Sequence, residues 1–210
     1  MSRTSLLSRP SLYAAALGAL IATAALPTFA QSTPWQYRVR AVNIDSADKD
    51  STGLGLSLSR KTIPEFDITY FFTPHLATEL ILTVPQRHKV YSRGTQIGSV
   101  KHLPPTLTLQ YHFNPEGTVR PYIGAGVNYT MFSGERFEPG VEAVLGPSIK
   151  KNSFGMAAQI GVDLMLNKQW SINLDLKKLQ MDTEIRSFGA NAGKFKVDPV
   201  LVGLGVGYRF

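Results

Sequence analysis

From Gly203 to Phe210 the chain alternates without a break between two kinds of residue, and the apolar face continues back to Val202 and Val200. Val200, Val202, Leu204, Val206, Tyr208 and Phe210 fall on one face of an extended strand, while Gly203, Gly205, Gly207 and Arg209 fall on the other. A strand that is apolar and aromatic on one side and small or charged on the other is suited to the seam of a barrel whose outside meets hydrocarbon. The fold then depends on whether the rest of the chain keeps the same habit.

It does so in seven further places. Trp35, Tyr37, Val39 and Ala41 oppose Gln36, Arg38 and Arg40, and Phe66, Ile68, Tyr70 and Phe72 oppose Glu65, Asp67 and Thr69. The same zigzag returns over 77–84, 106–113, 123–130, 154–164 and 170–177. Each segment approaches the roughly 9–11 residues that a tilted membrane strand requires. The connections alternate in length. Thr73-Pro74-His75, Asn114 to Arg120 and Asn167-Lys168-Gln169 are short and rich in turn formers, whereas 45–62, 86–103, 133–152 and 180–196 are long. The pattern predicts an all-β, eight-stranded antiparallel transmembrane β-barrel with short periplasmic turns and long extracellular loops.

A soluble carrier barrel would reverse the faces, with apolar residues within. Two features favour lipid outside. Aromatic residues of the apolar face gather at strand ends on the periplasmic side, as an interfacial girdle would. The opposite face carries glycines, which suit a narrow eight-stranded interior. The one charge on an apolar face, Lys178, lies at an outer strand end where it can snorkel.

Residues 1–30 read as a cleaved signal peptide rather than a membrane anchor. Arg3 and Arg9 precede an apolar run over Leu12–Leu26, and Thr28-Phe29-Ala30 offers small residues for cleavage before Gln31. The remainder, 31–210, holds 20 basic and 15 acidic residues. This surplus is dispersed and argues against nucleic acid, which needs a clustered patch; attraction to anionic lipid fits it better. The chain has no cysteine and so no disulfide framework.

The inward face carries Arg38, Arg40, Asp67, Glu79, Asp163, Asp175, Lys177 and Arg209. Opposite signs are expected to meet across the lumen, either as a salt-bridged plug or as a polar constriction. Towards the outer end the same face turns apolar at Val42, Ile44, Phe132, Leu179 and Leu201, and the first long loop adds Leu54, Leu56 and Leu58. These residues form either an apolar vestibule above a charged floor or a cap that packs the loops. A solute entering such a vestibule could leave only sideways, between strands. The histidines are scattered; His88 and His102 flank one loop without a metal-site spacing, and His88 near Ser92 is no more than an isolated pair. No catalytic motif stands out, and neither enzyme activity, metal nor cofactor is expected.

Several motifs carry a resemblance. Glu79-Leu80 precedes Pro85-Gln86-Arg87-His88-Lys89-Val90; Leu103-Pro104-Pro105-Thr106 and Arg120-Pro121-Tyr122-Ile123-Gly124-Ala125-Gly126-Val127-Asn128-Tyr129 follow; Gly207-Tyr208-Arg209-Phe210 ends the chain. In this order the set resembles the OmpW family of outer-membrane proteins. The resemblance implies an eight-stranded barrel in the Gram-negative outer membrane that admits small hydrophobic solutes, with a proposed lateral exit. The alternative is a closed structural or surface-receptor barrel acting through its loops. Tyr208 and Phe210 are expected to serve as an assembly signal for the barrel-insertion machinery.

Overall fold

The computed structural model describes residues 33–210; the expected signal peptide lies outside them. Eight staves form the barrel: β1 (Trp35–Asp45), β2 (Lys61–Phe71), β3 (Leu76–Thr83), β4 (Thr106–His112), β5 (Val119–Phe137), β6 (Asn152–Met165), β7 (Trp170–Leu179) and β8 (Val200–Arg209). Each pairs antiparallel with its sequence neighbours, and β8 returns to β1 from Gln36↔Arg209 to Asp45↔Val200. Closure leaves no edge strand in hydrocarbon, where water cannot satisfy free backbone groups.

Side-chain parity obeys the alternation. Leu109, Ile160, Leu174, Leu204 and Val206 stand exposed on the outer wall, while Arg38, Arg40, Asp67, Glu79, Asp163 and Asp175 are buried inside. At the periplasmic end the girdle is continuous in places. Trp170 meets Tyr208, Tyr208 meets Phe210 and Phe210 meets Tyr37, with ring centroids 4.8, 4.9 and 5.4 Å apart. Trp35, Tyr70 and Phe72 form a second run. The short turns are built by local side chains: Asn167 Oδ1 accepts from the Gln169 and Trp170 amides, and Thr73 Oγ1 accepts from Leu76.

The long connections are not plain loops. The expected loop over 133–152 begins with the upper end of β5, which runs 19 residues to Phe137. The 86–103 connection is a hairpin, Gln86–Ser92 with Thr95–Leu103, that pairs with upper β5. Leu56–Leu58 pairs with that hairpin. Strands Pro147–Ile149, Asp182–Ser187, Ala190–Lys196 and Lys49–Asp50 form a separate four-stranded sheet. Helix α1 (Pro139–Leu145) ends at Gly146 in the left-handed region. These segments carry inward apolar residues of their own, such as Val100, Ile185 and Phe195, and fold because that surface can be buried over the barrel mouth.

The seam needs glycine. A Cβ at Gly205 would stand 2.1 Å from the Val39 carbonyl oxygen and 2.7 Å from Arg40 Cα. Gly205→Val is therefore expected to block closure, at or above the roughly 1–3 kcal/mol of ordinary overpacking. Gly140→Ala, where nothing lies within 4 Å, should be harmless. Heat-modifiable migration on a gel reads both: the first variant should lose its compact band and the second keep it.

Candidate functional site

Three layers occupy the lumen from the periplasm outwards. At the base, Arg209 places its guanidinium 3.9 Å from the Phe71 ring centroid and makes no ion pair among the described residues. It thus sits below the charged residues with which its parity groups it.

Above it lies an ion cluster centred on two arginines of β1. Arg38 gives both its Nε and Nη2 to Asp163, the latter at 2.7 Å, and its Nη1 to Glu79 at 2.9 Å and Thr69 at 2.8 Å. Arg40 donates to Asn173 at 2.7 Å, Glu65 at 2.9 Å and Glu79 at 2.9 Å. Lys177 bridges Glu65 at 2.6 Å and Asp175 at 2.8 Å. Asp67 stands within 3.4 Å of both arginines. Neutral groups complete the layer: Gln110 and Gln159 donate to Glu79, and Tyr122 donates its hydroxyl to Asp175 at 2.8 Å. Gly161 makes room for that ring, since a Cβ there would lie 2.4 Å from Tyr122 Cζ.

Arg38 and Arg40 are each 1% exposed, Gln110 1%, and Glu79 and Asn173 0%. A water-wide pore beside these side chains would leave them accessible. The cluster is a filled plug. The narrow bore of an eight-stranded barrel makes this possible, because side chains from opposite walls reach one another.

The upper layer is apolar. Val42, Ile44, Leu56, Phe132, Leu179 and Leu201 are buried in one cluster, with Leu54 and Leu58 packed against it half-buried. Met181, Val100 and Phe195 join them from the stretches expected as loops, and Val197 from just beyond one. Asp50 and Asp48 hold the first loop in place by accepting hydrogen bonds from the Leu56 and Leu58 amides. Within the cluster lies a cavity of about 70 Å³ lined by Leu54, Val90, Val100, Phe132, Ile149 and Phe195, among others. That is several times the roughly 10–15 Å³ a single water requires.

Between plug and apolar chamber the wall is low on one side. The β2–β3 ladder ends at Glu65↔Thr83 and the β3–β4 ladder at Ile81↔Thr106. Pairing resumes only at Gln86↔His102. The gap carries Pro85, Pro104 and Pro105, with Pro64 opposite, none of which has an amide to donate. A cavity of about 20 Å³ reaches from Glu65 and Lys177 to Thr83 and Pro104 at this level.

His88 and His102 stack above the gap, centroids 4.6 Å apart. His88 Nδ1 lies 2.9 Å from the Ser59 carbonyl oxygen and so carries the proton. Burial, then the neighbouring His88 and Lys61, push His102 down to about 3. Burial likewise lowers His88. No three metal-ligating side chains gather as a site among the described residues.

Two outcomes follow from this geometry. Arg40→Met strands buried carboxylates and should cost about 3–5 kcal/mol in denaturant unfolding, whereas Lys196→Gln at the surface should stay within about 0.5 kcal/mol. Second, both imidazoles bind protons less readily when folded. Stability is therefore full above 6.5 and falls as pH drops below it, by up to about 1.4 kcal/mol per pH unit for each histidine. His102→Phe should flatten that slope when unfolding is followed across the acid range.

A family model described as the OmpW family matches residues 34–210. An uncharacterized outer-membrane protein, y4mB, of Sinorhizobium fredii is 42% identical over 188 residues, covering 85% of this chain and 80% of its own. The dibenzothiophene metabolism operon protein PahQ of Pseudomonas aeruginosa is 30% identical over 201 residues, with 89% and 93% covered. The crystal structure of the outer membrane protein OprG from Pseudomonas aeruginosa superposes with a TM-score of 0.73 at 28% identity, covering 85% of this chain and 97% of that one. The family model spans nearly all of the described residues and the barrel superposes on that structure, so the chain belongs to the OmpW family of outer-membrane proteins.

Proposed function

We propose that this barrel is a passive, non-enzymatic entry route for small apolar solutes. A solute partitions from outside into the chamber around Leu54 and Phe132, meets the closed ion plug, and leaves through the low wall between β2, β3 and β4 into the bilayer. The observation that carries the reading is the order of the layers. An apolar chamber stands directly on the buried ion plug, and the ladder between β3 and β4 is interrupted at the level between them. Moving an apolar solute from water to hydrocarbon is downhill, so no coupled energy source is needed. The name of PahQ, which ties that relative to dibenzothiophene metabolism, supports an apolar, aromatic class of solute.

Exit through the gap needs little backbone rearrangement, because prolines leave few ladder bonds there to break. The exposed Leu82 and Val84 border the gap on the lipid side. Phe210, stacked on Tyr37 and Tyr208, is the residue we assign to recognition by the insertion machinery.

Leu54→Asp or Phe132→Asp should slow entry of a fluorescent polycyclic hydrocarbon into proteoliposomes by about tenfold, since one ionised group in the chamber costs more than a lost methylene. Pro85→Thr with Pro104→Thr, which lets the ladder close, should slow it comparably without changing assembly. Unchanged flux in all of these variants, with a binding partner lost on loop deletion, would replace the reading with a closed surface-interaction barrel.

A further inference from the structure

The hairpin that walls the chamber has a cationic outer face. Across Gln86–Ser92, Thr95–Leu103 and upper β5, directly paired residues share a face, and two rows can be read from the register. Lys89↔Ser99↔Arg136 forms the upper row and Arg87↔Lys101↔Ser133 the lower. The buried partners of the alternation, His88, Val100 and His102, point the other way, so these six side chains look outwards. All six positions hold a cation or a hydroxyl.

Like charges directly opposite on paired strands, as at Arg87 and Lys101, are unfavourable when nothing compensates them. None of the four cations makes an ion pair among the described residues. The acid beside them on β5, Glu135, is engaged by Lys151. Arg87 is held in place: its Nη1 donates to Ser99 Oγ at 2.8 Å and to the Gly134 carbonyl at 2.9 Å. Cations with interleaved hydroxyls are what a phosphate's oxygens require.

Height on the barrel identifies the source of the phosphate. The pair directly below Lys101↔Ser133 is Leu103↔Met131, one side-chain step of about 7 Å lower. From there the exterior is apolar through Met131, Tyr129 and Leu107, which are 40%, 45% and 49% exposed. The cationic rows therefore stand where the apolar belt ends on the extracellular side, level with lipid headgroups. We infer that Arg87, Lys89, Lys101 and Arg136 form a binding site for a phosphorylated lipid of the outer leaflet. The site requires only that the barrel stand in the outer membrane; it is independent of solute entry.

The probe is lipid A in phosphatidylcholine nanodiscs carrying the whole barrel, with retained lipid measured by mass spectrometry and phosphorus NMR. Lys101→Gln with Arg136→Gln should weaken retention roughly tenfold to thirtyfold, while Lys194→Gln with Lys196→Gln on another loop should leave it unchanged. Gel migration checks folding, and Lys89→Gln with Lys101→Gln serves if the first pair fails to fold. Equal retention by wild type and variants, or equal retention of lipid A stripped of its phosphates, overturns the site. Full competition by inorganic phosphate reassigns it to the free anion and overturns the lipid assignment.

Discussion

A backbone in hydrocarbon has no water to bond, and every other feature of this molecule follows from meeting that requirement by closing eight strands on themselves. Eight strands enclose a bore too narrow to hold bulk water once side chains fill it. The inward half of each zigzag must then pack against the inward half of the opposite wall. Gly205 and Gly161 give the space that Arg40 and Tyr122 occupy. The exterior is free to be uniformly greasy because all polarity has been moved inside or to the rims.

Filling such a bore with charge is costly unless every ion finds partners. Here three cations, Arg38, Arg40 and Lys177, face five carboxylates, Glu65, Asp67, Glu79, Asp163 and Asp175. Amides from Gln110, Gln159 and Asn173 absorb much of the remaining acceptor capacity. Two arginines on neighbouring inward positions of one strand serve as the hub, because a guanidinium has five donors in a plane and can reach several walls at once. The arrangement specifies one packing of the lumen and denies passage straight through. It also sets the condition that makes a sideways route chemically sensible.

Strand number, faces and girdle were all legible in the sequence, because a period of two survives in every membrane-crossing segment and charged residues betray the inner side. Arg38, Asp67 and Glu79 could be placed in the lumen from parity alone, and so could the turn from polar to apolar between Arg40 and Val42. What parity could not provide was geometry across the bore. Tyr122 shares the inward face of β5 with Gly124, yet only the missing Cβ of Gly161 on the next strand shows that its ring has room. The loops were less legible for another reason. His88 with Val90, and Phe195 with Val197, keep the alternation, but the bulges near Val90 and Ile185 shift register and break the pattern into pieces too short to read as strands.

The 86–103 hairpin is where these physical themes meet. Its inner face gives Val90 and Val100 to the apolar chamber, and its root is flanked by Pro85 and Pro104, where the barrel wall has no ladder. Its outer face holds four cations at the height where hydrocarbon gives way to headgroups. This two-stranded ribbon is tied to upper β5 along one edge and to Leu56–Leu58 along the other, with the chamber against one face. Apolar packing holds its inner face over the chamber, and its outer face carries the cations that we assign to a phosphorylated lipid. The low wall beneath it is therefore bounded by an element that is fixed by backbone pairing on both edges and presents apolar side chains inwards and cations outwards.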